Sequence, residues 1–190
     1  MRKGVITAVI LVVAALALLA LGRQWFGGKA PGPPSPERPA DHAAAGPQTR
    51  QVDLYFADVS GQRLSLERRE VSGESREDLL LHVVEELIKG PLEPGRVRTL
   101  PETVQVRALF HRDGTVWVDL GSAVRDEHPG GSWTEVLAVY SVVNTLVENF
   151  GDIQQVQILI DGSRSETLAG HVDISGPLRS RIQLLAGDWE

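Results

Sequence analysis

The 190-residue chain contains no cysteine. This absence excludes disulfide bonds, zinc sites with thiolate ligands, iron–sulfur clusters, a cysteine nucleophile and lipid attachment at an N-terminal cysteine. Aromatic residues are also scarce, at 5% of the chain, so the sequence has no cluster of Trp and Tyr that would line a sugar-binding cleft. The chemistry that depends on cysteine is therefore excluded for this protein.

The motifs that often mark an active site are missing as well. There is no Gly-x-Ser-x-Gly elbow or Ser-x-x-Lys of a hydrolase, and no Walker loop or Gly-x-Gly-x-x-Gly to cradle a nucleotide. Two short groups contain metal-binding residue types, His171 with Asp173 and the run Asp126-Glu127-His128, but neither supplies a full ligand set. We therefore expect no metal and no cofactor.

One pair of carboxylates remains as a candidate for catalysis. Asp119 ends a predicted strand and Glu135 opens a predicted helix one loop later, so the two could act as the acid and base of a glycosidase. Each also has a simpler explanation, because Asp119 lies on the solvent side of its strand and Glu135 fits a helix cap. The sequence therefore predicts no catalytic residue and a protein that is not an enzyme.

Positive charge is scarce after the first 50 residues. Residues 1–50 carry six Lys and Arg against two Asp and Glu, whereas residues 51–190 carry 13 against 23 and have a net charge of -10. Binding to nucleic acid needs a basic stripe that neutralises phosphates. We therefore expect no nucleic-acid partner.

Residues 5–22 form a long apolar run after a basic start at residues 1–4. The stretch Val5–Leu21 reaches roughly 26 Å at about 1.5 Å per residue, close to the roughly 30 Å of a bilayer core. Because basic residues favour the cytoplasmic side, we predict an uncleaved transmembrane signal anchor that places the rest of the chain outside the cytoplasm. A cleaved signal peptide is the alternative, since Ala20-Leu21-Gly22 suits a peptidase.

Residues 23–50 are rich in proline, glycine and alanine, and they hold six of the eleven prolines. Such a segment cannot bury enough apolar surface to offset the entropy of ordering, and its prolines keep it extended. At about 3.1 Å per residue, the 24 residues from 27 to 50 could hold a following domain up to roughly 70 Å from the bilayer. We predict that this segment is a linker.

From residue 51 onward, alternating apolar residues predict β-strands. Two segments joined by a turn at residues 58–61 form a first hairpin, and two segments joined by Asp113-Gly114 form a second. A final strand is predicted at residues 156–160. The domain therefore contains at least five strands.

Two helices are predicted between these strands. The first covers Arg76–Lys89, begins after the cap residue Ser75 and stops at Gly90-Pro91. The second runs from Ser132 to about Phe150, and its start, Ser-Trp-Thr-Glu, has the signature of a capping box. The order of elements is then β-β-α-β-β-α-β.

The second helix has an unusually wide apolar arc. A central helix buried against the sheet explains this arc, but a partly exposed face covered by a partner is the alternative, with Val139 and Val142 as candidate partner-binding residues. Together the elements predict a single α+β domain at residues 51–182. In it, helices pack on one face of one mostly antiparallel sheet, and residues 183–190 form a tail.

The order of short motifs in this domain resembles the GerMN domain of sporulation and spore-germination proteins. The resemblance covers roughly residues 51–182 and implies an envelope-associated domain without established catalytic residues that helps to assemble protein complexes outside the membrane. Some members of the family are similar to ring-building modules of secretion-like assemblies. The motifs are Val52-Asp53-Leu54-Tyr55-Phe56-Ala57-Asp58, Glu86-Leu87-Ile88-Lys89-Gly90-Pro91, Leu100-Pro101, Val118-Asp119-Leu120, Val143-Asn144-Thr145-Leu146, Val156-Gln157-Ile158-Leu159-Ile160-Asp161-Gly162 and Gly170-His171.

The sequence thus leads to a membrane-anchored, extracytoplasmic, non-catalytic domain for protein–protein assembly at the cell envelope. Its expected partners are other envelope proteins, with self-association as a further possibility. The alternative is a module that binds or hydrolyses peptidoglycan. The missing nucleophile, metal cluster and aromatic cleft favour the first hypothesis over the second.

Overall fold

The computed structural model of the chain describes residues 48–186. The basic start at residues 1–4, the predicted transmembrane helix at 5–22 and nearly all of the predicted linker at 23–50 lie outside the described residues. Within the part that is described, no helix combines the length and the apolar character needed to cross a membrane.

The first predicted hairpin is confirmed, and it forms most of a three-stranded sheet that we call sheet A. Strand β1 (Gln48–Asp58) pairs antiparallel with β2 (Leu64–Gly73), and the short β3 (Arg96–Val97) pairs antiparallel with the other side of β1. Strand β1 begins at Gln48, so regular structure includes the last three residues of the predicted linker.

A second three-stranded sheet, sheet B, contains β4 (Val106–Arg112), β5 (Thr115–Leu120) and β6 (Gln155–Ile160). The predicted hairpin of β4 and β5 is confirmed, and both turn residues, Asp113 and Gly114, have the positive φ of a tight hairpin turn. Strand β6 is parallel to β5. The prediction of one mostly antiparallel sheet is therefore corrected to two sheets, because alternation identifies strands but does not say which ones pair.

The helices are α1 (Arg76–Lys89), the single turn α2 (Ala123–Asp126) and α3 (Ser132–Asn149). The predicted ends of α1 are confirmed, and Ser75 Oγ accepts the N–H of Asp78 at 3.1 Å. Helix α1 contacts β1, β2 and β4, and α3 contacts β1 and β6. Each long helix thus packs against both sheets rather than on one face of a single sheet.

Helix α3 is the centre of the core, as the first interpretation of its wide apolar arc predicts. Val139 and Val142 are 0% and 1% exposed. The structure therefore places these two candidate partner-binding residues in the core instead of on a surface, because the side of α3 that carries them is covered by the rest of the domain.

Polar side chains of α3 also close the open edge of β1. The Asn149 side chain accepts the N–H of Asp53 at 2.8 Å and donates to its C=O at 2.7 Å, and Thr145 Oγ1 accepts the N–H of Tyr55 at 3.2 Å. An unpaired strand edge invites pairing with another chain, so these bonds protect β1 along its middle.

Packing continues beyond residue 182, into the predicted tail. A 3₁₀ turn at Ile182–Leu184 is followed by Leu185, which forms a parallel bridge with Leu64, and Ala186 N–H donates to the C=O of Leu64 at 2.6 Å. Leu184 and Leu185 are buried. The end of the chain thus contributes to the core next to the start of β2.

Candidate functional site

Glu135, a member of the predicted carboxylate pair, is completely buried and does not cap α3. Its Oε1 accepts the N–H groups of Ala169 and Val172 at 2.7 and 3.0 Å, and its Oε2 accepts the N–H of His171 at 2.9 Å. The predicted capping role is therefore wrong, because the carboxylate turns inward and holds a loop that lies more than 30 residues away in the sequence.

The His171 ring completes the surroundings of this carboxylate. Its Nδ1 lies 3.0 Å from Glu135 Oε2, while the His171 side chain is 54% exposed. Burial raises the pKa of Glu135, but the backbone N–H groups of Ala169, Val172 and His171 together with the His171 ring bring it below its usual value. The pair of Glu135 and His171 thus fastens the loop at residues 169–172 to the start of α3.

A small cleft of about 270 Å³ lies beside this loop and is lined in part by Arg125, His128 and residues 167–170. Burial lowers the pKa of His128, and its Nδ1 accepts the N–H of Gly130 at 3.0 Å. No three His, Asp or Glu side chains in the described part of the chain are placed to hold a metal ion.

Asp119 is also buried, whereas the sequence places it on the solvent side of its strand. It does point to the outer face of sheet B, but the turn after β6 covers it, and its carboxylate accepts the N–H of Gly162 at 2.7 Å and Arg107 Nε at 3.3 Å. Asp119 and Glu135 share no hydrogen-bond partner within residues 48–186. The structure thus gives each carboxylate its own structural role.

The exposed apolar residues give a different candidate site. Val59 in the β1–β2 turn, Val97 in β3 and Trp133 at the start of α3 are 76%, 48% and 43% exposed. Trp133 Nε1 donates to the C=O of Gln62 in the same turn at 3.3 Å. We call Val59, Val97 and Trp133 the distal patch. Sequence reasoning missed it because its members come from three separate segments.

A cleft of about 270 Å³ opens at the distal patch. It is lined by residues 57–61 and 97–99 on one side and by Thr134 and Leu137 of α3 on the other. This volume suits one large apolar side chain. The cleft therefore lies between the short strand β3 and the first turns of α3.

The charged groups around the cleft are already bonded inside the domain. Slight burial raises the pKa of Asp58, but hydrogen bonds from Ser60 Oγ and the N–H groups of Gln62 and Arg63 lower it below its usual value. The Arg98 guanidinium donates to the last carbonyls of α1, one of them at 2.8 Å. The cleft thus offers apolar surface without an unpaired charge among these groups.

The position of the distal patch follows from the direction of β1. The described chain begins at Gln48, which pairs with Gly73, and β1 then runs to Asp58 next to the patch. At about 3.3 Å per residue, these two ends of β1 are roughly 33 Å apart. The patch therefore lies at the end of sheet A opposite to the point where the chain enters it.

A second exposed apolar feature lies on the outer face of sheet B. Phe110 and Trp117 face each other across β4 and β5, with ring centroids 4.9 Å apart and planes inclined by 11°. Phe110 is 48% exposed and Trp117 is half-buried. The stack is formed by two residues of neighbouring strands, whereas the distal patch draws on three separate segments.

Comparison with known proteins supports the resemblance seen in the sequence. Residues 53–166 match the model of the Germane family, which is described as sporulation and spore germination. No curated protein matches the chain.

Three of the solved structures similar to this fold come from two bacteria. A Clostridium perfringens protein titled "Putative Lipoprotein" has 20% identity and a TM-score of 0.51, covering 70% of this chain and 88% of its own. The first GerMN domain of the sporulation protein GerM from Bacillus subtilis has 20% identity and a TM-score of 0.54, covering 70% and 98%. The tandem GerMN domains of the same protein have 18% identity and a TM-score of 0.55, covering 74% and 48%.

At these identities the similarity concerns the fold. The described residues form a single α+β domain of the GerMN type, and the chain spans about half the length of the tandem structure.

Proposed function

This chain belongs to the Germane family of sporulation and spore germination, and from this premise we propose that it binds other envelope proteins as a membrane-anchored, extracytoplasmic domain. The distal patch is the contact surface. The domain acts by holding a partner and carries out no chemical reaction of its own.

The main support for this proposal is the exposure and the position of the distal patch. Val59, Val97 and Trp133 are exposed around a cleft, although apolar side chains of this size are usually buried. They lie roughly 33 Å along β1 from Gln48, where the described chain begins. A surface at that end of sheet A lies opposite to the point where the described chain enters the sheet, and we propose that it is open to a partner.

The proposed anchor is the apolar run at residues 5–22. One protein of similar fold is titled "Putative Lipoprotein", but this chain has no cysteine to carry a lipid. The linker at residues 23–50 then gives the domain its reach. A chain that keeps residues 5–22 should remain in the membrane fraction after carbonate extraction, whereas a soluble mature form starting near Arg23 would contradict the anchor.

Photo-crosslinking in cells tests the contact surface. A photoreactive amino acid at Val59 or Val97 should yield adducts with another envelope protein, which mass spectrometry identifies. The matched control position is Arg112 on sheet B, whose side chain is 81% exposed. An adduct of twice the mass of the chain would identify self-association.

A charge placed in the patch sharpens this test. Val97→Asp should abolish the adduct formed from Val59, because a carboxylate resists burial against an apolar partner, whereas Arg112→Asp should leave it unchanged. Equal adduct yields from Val59 and Arg112, or no adduct from the patch at all, would contradict the proposal.

Binding to peptidoglycan is the second candidate function, and the Phe110–Trp117 stack is the observation that favours it. Exposed aromatic rings provide flat apolar surfaces of the kind that sugar rings contact. A pull-down with purified cell wall decides between the two candidates. Retention that is lost in Phe110→Ala and kept in Val97→Asp would favour the wall as the ligand.

A further inference from the structure

We infer that the cleft in the distal patch binds a partner's extended segment, which adds to sheet A as a new edge strand beside β3 and places one uncharged apolar side chain in the cleft. This inference rests on the proposed function and specifies the form of the partner. Adding a strand to an exposed sheet edge is a recurring mode of peptide recognition.

The direction of the backbone groups on β1 and β3 indicates which edge of sheet A is free. On the side of β1 that faces α3 and β3, the N–H groups of Asp53 and Tyr55 bond to α3 side chains. Alternation along a strand then turns Ala57 toward the same side, where it pairs with Val97 of β3. Arg98, the residue directly after β3, therefore directs its own N–H and C=O away from β1.

These outward groups have no partner in the described part of the chain. Neither the N–H nor the C=O of Arg98 makes a hydrogen bond within residues 48–186, although the Arg98 side chain is bonded to α1. The edge of β1 is closed by α3, and the start of β2 is covered by Leu185 and Ala186. The edge at Arg98 is thus left available to another chain.

The polar groups in the walls of the cleft next to this edge are bonded inside the domain. Asp58 and Ser60 bond to each other, Thr99 Oγ1 donates to Ser141 Oγ at 2.9 Å, and the Arg98 guanidinium is bonded to α1. The remaining unsatisfied features are therefore backbone hydrogen-bonding groups and apolar surface. A strand with an apolar side chain supplies both, whereas a helix has no free backbone groups along its length to pair with the edge.

Two segments of the chain itself are poor occupants. The predicted linker at residues 23–50 is rich in proline, which has no N–H to donate to a neighbouring strand. Leu185 runs parallel to β2, so at that point the chain is directed away from the distal patch. These two observations favour a segment from another protein.

The test uses a phage-displayed library of unconstrained ten-residue peptides, selected on the full-length chain in detergent micelles. Selected peptides should share a central uncharged apolar residue among strand-forming residues. Their affinities are then measured by fluorescence anisotropy on the wild-type chain, Arg98→Pro and Arg98→Ala. Both variants lose the guanidinium group, but only Arg98→Pro also loses the backbone N–H.

We expect Arg98→Pro to bind the selected peptides at least tenfold more weakly than Arg98→Ala. Because proline could disturb the fold, two further measurements accompany this comparison. Thr134→Phe, which fills the cleft from α3, should also weaken binding at least tenfold, and in the wild-type chain the amide of Arg98 should exchange more slowly with peptide bound. Equal binding to the proline and alanine variants with unchanged exchange at Arg98, or no selected peptide at all, would overturn the inference.

The result also separates this inference from the proposed function. Adducts at Val59 and Val97 in cells together with equal binding to Arg98→Pro and Arg98→Ala would keep the proposed function and reject strand addition. Peptide binding that depends on the N–H of Arg98, without adducts in cells, would keep strand addition and reject the proposed function.

Discussion

Glu67 and Glu135 are two buried carboxylates, at 2% and 0% exposure, that the domain stabilises in different ways. Glu67 on β2 accepts Arg69 Nε at 2.8 Å and also accepts the backbone N–H groups of Leu92 and Glu93. Glu135 has three backbone N–H groups and the His171 ring, but no arginine. One carboxylate is thus balanced by a fixed cation and the other mainly by the backbone.

This difference decides which buried carboxylate can be replaced. An ion pair can be exchanged as a unit for apolar side chains, because both costly charges leave together. Backbone N–H groups cannot be removed by mutation, so the loop at residues 169–172 always requires an acceptor. Leu92 and Glu93, whose N–H groups also bond to Glu67, are exposed residues that water can reach. We therefore expect the pair of Glu67 and Arg69 to be replaceable as a unit and Glu135 to be obligatory.

The largest expected effect comes from breaking the ion pair on one side only. Arg69→Met removes the cation and leaves the buried carboxylate of Glu67, so we expect the free energy of unfolding to fall by about 3–5 kcal/mol in denaturant titrations. The double variant Glu67→Leu with Arg69→Met should recover most of this loss. A double variant as unstable as Arg69→Met alone would show that the pair is not replaceable.

A smaller effect is expected from Glu135→Gln. The amide keeps one acceptor oxygen but turns an NH₂ group toward donors of the 169–172 loop, so at least one buried N–H loses its partner, at a cost of about 1–3 kcal/mol. Denaturant titration measures the loss, and amide exchange should show that it is concentrated at residues 169–172. Unchanged protection of this loop would contradict its dependence on Glu135.

The sequence predicts the local elements of this fold well. Ser75 and Gly90 set the ends of α1, and the hairpins follow from alternation and from the turn at Asp113-Gly114. These features depend on interactions between residues close in sequence. The same kind of signal suggested that Glu135 is a capping residue, which is wrong because its donors lie 34–37 residues further along the chain.

The candidate site depends on long-range packing and could not be predicted in the same way. Val59 and Trp133 come together only through the pairing of β1 with β2 and the packing of α3 beside β1, and the cleft also needs β3, a strand of two residues. No periodic pattern marks such a short strand. Val142 shows the same limit from the other side. The apolar arc of its helix is visible in the sequence, but the sequence does not say whether that arc is buried or exposed, and Val142 is buried.

The smallest expected effect concerns the dependence of stability on pH, which separates the contribution of His128 from that of the buried carboxylates. Burial lowers the pKa of His128 below its ordinary value of 6.5, so the unfolded chain binds this proton more tightly than the folded chain. The stabilising contribution of neutral His128 is complete above pH 6.5 and declines as the pH falls below that value. His128→Gln should remove this decline below pH 6.5.

At lower pH the carboxylates determine the result. The folded-state pKa values of Glu67 and Glu135 are lowered from 4.5, because their hydrogen-bond donors outweigh the burial that raises them. Their contributions are therefore complete above pH 4.5 and are lost as the pH falls through the folded-state values. Denaturant titrations from pH 7.5 to 3 should show that His128→Gln flattens only the upper part of the curve and Glu135→Gln only the lower part. The charge of Glu135 also partly offsets the lowering of the His128 pKa by burial, so Glu135→Gln should not flatten the part of the curve just below pH 6.5. Flattening there would contradict the assignment of that part of the curve to His128.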